Sequence, residues 1–308
     1  MSKLYDALLL QKGSIPDLDA ASLIGDERNT VAVPTAAPAP LTVQTAAEPK
    51  IAPTPPTVNG NAAPADLSTI RKIRLRLPQY SPALPFGEDH WLANEQYRIV
   101  RTKLLQHIKR PQVILVSSAG SGDGKSITAI NLAGALSLRS ESRVLLMDGD
   151  FRKPNVHVTL GIPEAPGLAD ILEGRCEPLE AIVATEEFPN LFLMAAGKPI
   201  DNPAELLQSS RWPSSAAWLK KQFRYIILDS PPIAAVADYD LLQSVCDGVI
   251  VVVRPDHTSR PACMRALESV PKDKLLGVLL NCVTPWFLGG SSGYDYGAPY
   301  YQPRDAKR

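Results

Sequence analysis

A glycine-rich turn that carries one lysine is the feature that most limits how this chain can fold. Residues 119–126 read Ala-Gly-Ser-Gly-Asp-Gly-Lys-Ser, after an apolar run and before an alanine-rich stretch. Glycines at alternate positions let successive backbone N–H groups turn toward one anion, and a helix that starts at once adds its positive end. The segment is typical of a phosphate-binding loop, G-x-x-x-x-G-K-[ST], with alanine in place of the first glycine. A strand, a loop and a helix are therefore predicted in that order.

Each part of this loop has a predicted task in holding a nucleotide and a magnesium ion. Lys125 is expected to neutralise the β and γ phosphates, and the Ser126 hydroxyl to bind Mg²⁺. The predicted contacts to the nucleotide come from Gly120, Ser121, Gly122, Asp123, Gly124, Lys125, Ser126 and Ile127. ATP and Mg²⁺ are therefore the predicted cofactors.

Two further apolar runs end in aspartate. Residues 145–150 read Leu-Leu-Met-Asp-Gly-Asp, and residues 226–229 read Ile-Ile-Leu-Asp. Asp229 falls where a phosphate-loop protein places the carboxylate of its magnesium shell. Because side chains alternate along an extended chain, Asp148 and Asp150 are expected to point the same way, toward the phosphates. These carboxylates suit both metal binding and acceptance of a proton.

The rest of the chain predicts an α/β fold of the P-loop NTPase type, with a mostly parallel sheet covered by helices on both faces. Nearly continuous apolar runs alternate with helical stretches, as in sheets that are buried on both sides. The predicted strands are Val113–Ser117, Arg143–Asp148, Leu191–Ala195, Tyr225–Asp229, Gly248–Val253 and Leu276–Asn281. The predicted helices are Leu92–His107, Lys125–Leu138, Trp212–Gln222, Tyr239–Val245 and Arg260–Ser269. All three motifs end strands, where such sheets bind their ligands.

Composition divides the chain into four segments. Residues 1–25 are expected to form a short docking helix, and residues 26–76 a linker rich in proline and alanine. The P-loop domain is predicted over residues 77–285. Residues 286–308 form a tyrosine-rich tail, whose clustered tyrosines are Tyr294, Tyr296, Tyr300 and Tyr301.

Charge and cysteine content argue against several classes of protein. The 32 basic and 32 acidic residues cancel, which is unlike a nucleic-acid or general membrane binder. The four cysteines form no CxxC pair, so reduced thiols are favoured over a disulfide or zinc framework. No run approaches the roughly 20 apolar residues that span a bilayer. A cytoplasmic protein that reaches the membrane only through a partner is expected.

The three motifs in this order resemble those of the bacterial tyrosine kinases (BY-kinases) of capsule and exopolysaccharide systems. Residues 145–152 match the family pattern Φ-Φ-Φ-D-x-D-x-R, and residues 226–232 match Φ-Φ-Φ-D-x-x-P, where Φ is apolar. The family also tolerates loss of the first loop glycine. Residues 202–207 match its N-P-x-E-L-L segment, and residues 95–101 its E-x-x-R-x-x-R ring-assembly motif. The resemblance runs from about Glu95 to the C-terminus.

The resemblance implies a stand-alone kinase that phosphorylates its own tail tyrosines in trans and regulates polysaccharide polymerisation and export. It makes Asp148 the candidate that accepts or orients the tyrosine proton, with Lys125 and Asp150 as further catalytic residues. It also implies that Ser126, Asp150 and Asp229 hold the metal and that Asn281 contacts adenine. The resemblance further implies a homo-oligomeric ring, whose interface is formed by Glu95, Arg98 and Arg101. From the residues alone, a solvated helix face with a Glu95–Arg98 pair is the favoured interpretation. The implied partners are a membrane polysaccharide co-polymerase (chain-length determinant) as activator, which recruits the kinase to the inner face of the membrane, and a tyrosine phosphatase.

Two other functions stay open on the sequence alone. A MinD/ParA-type positioning ATPase shares the phosphate loop, but that class places a signature lysine where this chain has Gly120. A scaffold that binds ATP without kinase activity would also keep the loop. An assay with ATP and an anti-phosphotyrosine probe separates all three functions.

Overall fold

Eight strands form one sheet in the computed structural model of the protein. The structure describes residues 66–79, 81–87, 90–139, 142–233 and 237–283, all within one unit of the chain. The strands are β1 (Lys72–Ile73), β2 (Val113–Ser118), β3 (Val144–Asp148), β4 (Val183–Thr185), β5 (Leu191–Met194), β6 (Tyr225–Asp229), β7 (Gly248–Val253) and β8 (Leu275–Leu280). Their order across the sheet is β1-β4-β5-β3-β6-β2-β7-β8. Every neighbouring pair is parallel except β4 with β5.

Helices connect these strands. In the described ranges they are α1 (Trp91–Leu105), α2 (Lys125–Ser137), α3 (Val156–Leu160), α4 (Leu168–Glu173), α5 (Pro203–Gln208), α6 (Arg211–Gln222), α7 (Asp238–Ser244) and α8 (Arg260–Ser269), with a 3-10 helix at Leu67–Thr69. None of them is both long and apolar enough to cross a membrane.

Both faces of the sheet are covered, and the predicted fold is therefore confirmed. Every residue of β2, β3, β6 and β7 is buried. Alternate side chains enter different cores: Ile114 and Val116 pack with residues of α2, whereas Leu115 packs with residues of α4, α6 and α7. At roughly 1.5–3 kcal/mol for each fully buried aliphatic side chain, these two cores supply the main stabilisation of the fold.

The edge of the sheet starts earlier in the chain than predicted. Residues 67–73, which the sequence analysis assigned to the linker, include the 3-10 helix and the edge strand β1. Lys72 pairs with Ala184 of β4, and Ile73 pairs with Thr185. Strand β1 has two residues and β4 has three. Both are too short to show periodicity, so neither was predicted. The predicted docking helix (residues 1–25) and tail (residues 286–308) lie outside the described residues.

Candidate nucleotide-binding and active site

The order of the strands brings the three sequence motifs to one edge of the sheet. Strand β6 lies between β2 and β3, and Asp229 at its end is paired in register with Asp148 of β3 and with Val116 of β2. Neighbouring strands are about 4.8 Å apart, so the chain segments that follow β2, β3 and β6 meet in a small space. The prediction that all three motifs lie at carboxyl ends of strands is confirmed.

The phosphate loop needs glycine at two positions for its backbone shape. Gly122 and Gly124 have φ angles of +89° and +91°, in the left-handed region that side chains disfavour. A side chain at Gly124 would also collide with the side-chain amide of Asn281. Helix α2 begins at Lys125, directly after Gly124, and its N-terminal N–H groups face the loop.

The buried carboxylate of Asp123 closes the loop from within. It accepts hydrogen bonds from the Gly120 backbone N–H at 3.0 Å and from the Thr258 hydroxyl at 2.5 Å. Thr258 belongs to the segment after β7, so the loop is tied to a neighbouring strand end. Sequence reasoning placed Asp123 in the loop but missed Thr258, whose only signal is that it follows a buried strand.

Two more side chains brace the loop from outside. The Asn281 amide nitrogen donates to the Asp123 carbonyl oxygen at 2.9 Å. His257 Nε2 lies 3.0 Å from the Ser121 carbonyl oxygen. Asn281 was predicted to contact adenine, and the structure places its amide nitrogen on the loop backbone. The adenine contact stays a prediction.

Lys125 reaches across the site to two carboxylates. Its Nζ lies 2.8 Å from Asp150 Oδ2 and 3.8 Å from Asp229 Oδ1, and it donates to Ser126 Oγ at 3.3 Å. Burial opposes the charged form of Lys125, but Asp229 and Asp150 outweigh that effect and raise its pKa. The site therefore holds a permanent cation where phosphates are predicted to bind.

Asp229 is the carboxylate that lacks donors. It is fully buried, and neither of its oxygens accepts a hydrogen bond from the described residues. Burial raises its pKa to about 7, although Lys125 acts in the opposite direction. The neighbouring Ser126 hydroxyl lies close enough to lower that pKa slightly, without hydrogen-bond geometry. A buried carboxylate with two free oxygens is the arrangement that a cation would satisfy.

The residues at this edge fit the coordination habits of magnesium. In the described part of the chain, no three His, Cys, Asp or Glu side chains converge on a self-sufficient metal site. Mg²⁺ ordinarily takes only one or two carboxylates and completes its shell with substrate phosphates and water. Asp229 and Ser126 could supply two such oxygen ligands beside the phosphate loop, and Asp150 is paired with Lys125 at 2.8 Å.

Asp148 has a different environment from the one predicted. Its Oδ1 accepts from the Asp150 N–H, and its Oδ2 accepts from the N–H groups of Asn155 and Val156, each at 3.0 Å. Burial raises its pKa, and these three donors oppose the rise. The carboxylate thus fixes the loop after β3 and caps the start of α3.

The chain is not extended across this motif, contrary to the expectation. Strand β3 ends at Asp148, and the chain turns at Gly149, whose N–H donates to the Asp229 carbonyl oxygen at 2.8 Å. Alternation applies only to extended chain, and the turn directs Asp150 to Lys125 instead. Arg152, farther along this loop, pairs with Asp238 of α7 at 2.8 Å.

The three residues predicted for a subunit interface fall into two groups. Glu95 and Arg98 form an ion pair of 3.7 Å on α1, and each is about half exposed. Arg101 instead donates from a guanidinium nitrogen to the Ala135 carbonyl oxygen of α2 at 3.0 Å. Arg101 therefore holds α1 on the domain, whereas the other two face solvent. The predicted tail tyrosines lie outside the described residues.

The fold and the loop define the broad class of the protein. A family model of ParA, described as NUBPL iron-transfer P-loop NTPase, matches residues 109–284. This range contains all three motifs. The match shows the P-loop NTPase fold, which the kinase and the positioning ATPase share.

Individual relatives narrow the class. The chain is 35% identical over 199 residues to tyrosine-protein kinase YwqD of Bacillus subtilis (strain 168), which is 63% of this chain and 83% of that protein. It is 31% identical over 217 residues to tyrosine-protein kinase CpsD of Streptococcus agalactiae, or 70% of this chain and 92% of that one. The crystal structure of the VpsO kinase domain is 30% identical with a TM-score of 0.56, and the match covers 64% of this chain and 98% of that one. The chain belongs to the bacterial tyrosine kinases, and its activity is that of a protein-tyrosine kinase.

Proposed function

We propose that the protein uses MgATP to phosphorylate the tyrosines of its own C-terminal segment, in a system that makes capsule or exopolysaccharide. The observation that supports this best is the meeting of Lys125, the donor-free Asp229 and the second aspartate loop at one edge of the sheet. A plain ATPase needs the first two. A tyrosine kinase must also accept a proton from the substrate hydroxyl, and the additional carboxylates of the β3 loop suit that task.

The loop and Lys125 would position the triphosphate. Backbone N–H groups from Gly120 to Ser126 surround the phosphates, and Lys125 turns from its two carboxylates to the β and γ oxygens. Mg²⁺, held by Ser126 and Asp229, would supply positive charge against the phosphate oxygens. Phosphoryl transfer depends mainly on such positioning and charge neutralisation, so these residues account for most of the expected rate enhancement.

The tyrosine proton has two possible acceptors in the β3 loop. An ordinary tyrosine hydroxyl has a pKa of about 10, so its attack benefits from a nearby carboxylate. Asp150 loses its Lys125 partner when the lysine moves to the phosphates, and one oxygen is then available. Asp148 keeps three backbone donors in this conformation, and its predicted role as proton acceptor requires one of them to be released.

Tail phosphorylation would also control assembly. Each phosphotyrosine carries about −1.5 to −2 charges, so four sites add on the order of −6 to −8. That charge beside Asp148, Asp150 and Asp229 would expel a modified tail from the site of a neighbouring copy. The proposed cycle is assembly of the unmodified protein into a ring, phosphorylation in trans, disassembly, and removal of the phosphates by a tyrosine phosphatase.

A mixing experiment tests the transfer in trans. A Lys125→Met chain that keeps its tail is incubated with an active chain that lacks residues 286–308, in the presence of ATP and Mg²⁺. Phosphotyrosine on the inactive chain is expected. If active full-length protein is phosphorylated but the inactive chain in the mixture is not, transfer occurs in cis. If no sample reacts with an anti-phosphotyrosine probe while ATP is hydrolysed, the positioning-ATPase function is favoured.

Light scattering tests the assembly cycle. The dephosphorylated protein is expected to have a higher mass than the fully phosphorylated protein at the same concentration. Equal masses for the two forms would contradict a cycle driven by tail charge.

The proposed function also includes a partner in the membrane. By family resemblance, a membrane polysaccharide co-polymerase would recruit this cytoplasmic kinase to the inner face of the membrane and raise its nucleotide affinity. The N-terminal segment offers a second docking point. Deletion of residues 1–66 is expected to weaken pull-down of that partner, and an unchanged pull-down would remove the segment from the proposal.

A further inference from the structure

Three arginines line a cleft at the edge of the sheet opposite the phosphate loop. The cleft has a volume of about 410 Å³ and is lined by Leu105, Arg110, Arg139, Ser142, Arg224 and Tyr225. Arg224 and Tyr225 lie at the start of β6, whereas Asp229 ends that strand. This volume lies in the range of small-ligand pockets. The cleft is therefore separate from the nucleotide site and large enough to bind a ligand.

Within the described residues, the arginines of this cleft have no ion-pair partners. In the described ranges, no carboxylate forms an ion pair with Arg110, Arg139 or Arg224. Arg139 even lies close enough to Arg101 to help lower its pKa, after the larger effect of burial. Three guanidinium groups that border one cleft favour binding of an anion there.

Two of the arginines are held in place by local structure. The Arg224 guanidinium lies over the Tyr225 ring, 4.5 Å from its centroid. Arg110 has a φ of +45°, a backbone conformation that residues with side chains rarely adopt. The ring contact positions the Arg224 guanidinium beside the cleft and reduces the entropy lost when a ligand binds, whereas the Arg110 backbone sets only the direction in which its side chain leaves the chain.

The helix dipole also favours arginines at these three positions. Arg110, Arg139 and Arg224 each follow the C-terminal end of a helix, namely α1, α2 and α6. Positive charges there are favoured by the helix dipole. That effect explains one cation at each helix end, but it does not require three guanidinium groups to border one cleft without acidic partners.

We propose that this cleft binds the phosphotyrosines of the C-terminal tail, from the same chain or from a second copy. Guanidinium groups bind phosphate oxygens in bidentate pairs, and each phosphotyrosine supplies about two negative charges. The tail has four tyrosines between residues 294 and 301, and it begins near Val283 at the carboxyl edge of the sheet. The inference rests on the proposed function, because an unmodified tail lacks this charge.

The length of the chain permits this contact. The 11 residues from Val283 to Tyr294 span at most about 36–40 Å when extended. A strand of five residues such as β6 separates the two edges of the sheet by only about 16 Å. A phosphorylated tail that leaves the active site can therefore reach the cleft on its own chain, and the cleft would keep it from returning.

Peptide binding tests the inference directly. A fluorescent synthetic peptide of residues 289–303, with all four tyrosines phosphorylated, is titrated into full-length Lys125→Met protein, whose own tail stays unmodified. In the same background, the triple variant Arg110→Gln, Arg139→Gln and Arg224→Gln is expected to weaken binding at least 10-fold. The matched variant Arg76→Gln, Arg265→Gln and Lys272→Gln removes the same charge from exposed positions elsewhere and is expected to change binding less than 2-fold.

Several outcomes would overturn the inference. They are absence of peptide binding, equal weakening by both triple variants, and equal binding of the unphosphorylated peptide or of a peptide with glutamates in place of the phosphotyrosines. Loss of thermal stability in the arginine variant with unchanged binding would leave only the helix-dipole explanation. Because the peptide is phosphorylated by synthesis, its binding is independent of kinase activity. A protein that binds the peptide but never phosphorylates its tail contradicts the proposed function instead.

Discussion

At the scale of single residues, the buried Asp229 carboxylate destabilises the ligand-free protein when it is ionised. The folded protein holds the Asp229 proton more tightly than the unfolded chain, because burial raises its pKa to about 7. The stability contributed by the protonated form is therefore lost as pH rises from about 4 toward 7. A cation bound at the ionised carboxylate would restore the lost stability.

Replacement of Asp229 by asparagine is expected to stabilise the nucleotide-free protein at pH 8 while it abolishes kinase activity. A gain of about 1 kcal/mol corresponds to a rise in Tm of about 2–4 °C for a domain of this size. The difference in Tm between variant and wild type should grow between pH 4 and pH 7, which calorimetry in the absence of magnesium measures. A difference that does not change with pH would contradict the assigned cause.

Asp148 provides a second test at this scale. An asparagine there has one acceptor oxygen, so at least one of the buried N–H groups of Asp150, Asn155 and Val156 loses its partner. The expected loss of stability is about 1–3 kcal/mol. Hydrogen exchange should accelerate at Asn155 and Val156. In the control Asp150→Asn, these two amides should keep their protection, since Asp150 accepts a backbone N–H only from Lys153.

At the scale of elements, the phosphate loop depends on the segment after β7. Thr258→Val keeps the shape of the side chain but removes the hydroxyl that donates to Asp123. The KM for ATP is expected to rise about 5- to 10-fold, in line with the roughly 1–1.5 kcal/mol of a hydrogen bond, while kcat changes less. Thr258→Ser should restore the wild-type KM. If the serine variant is as impaired as the valine variant, the hydroxyl is not the cause.

The elements also show what sequence patterns can and cannot predict. The long buried strands were found because runs of at least four consecutive apolar residues leave few alternatives, and their ends located the phosphate loop, Asp148 and Asp229. The edge strand β1, its neighbour β4 and the short helices α3 to α5 were missed, since two to six residues carry too little periodicity. The extended geometry expected across Asp148 and Asp150 was wrong, because β3 stops at Asp148. That end is set by tertiary hydrogen bonds, which no local pattern reveals.

At the scale of the whole molecule, α1 connects folding with assembly. Leu104 is its only buried residue within the described structure, and Trp91, Leu92 and Ile99 are exposed by 53%, 53% and 42%. Such a helix has much apolar surface that a second copy can cover. The sequence motif identified this helix, but it could not separate the two residues that face solvent from the one that contacts α2.

Alanine substitutions along α1 are expected to separate these roles. Glu95→Ala and Arg98→Ala should lower the mass measured by light scattering and leave the monomer Tm nearly unchanged, because an exposed pair contributes only a few tenths of a kcal/mol. Arg101→Ala should also lower the Tm, by about 2–4 °C, since it removes the hydrogen bond to Ala135. Equal changes in mass and Tm for all three variants would contradict this division.

The place that Lys125 takes between Asp150 and Asp229 affects how the kinase would sense its ligands. A free magnesium ion that approaches Asp229 meets a tethered ammonium 3.8 Å from one of its oxygens. A nucleotide triphosphate, in contrast, draws that ammonium away and leaves the carboxylate available. Metal and nucleotide would thus bind cooperatively, and each would raise the affinity for the other by the same factor. The kinase would therefore respond more to the supply of the complete complex than to either component alone, which would tie its switch to the energy state of the cell.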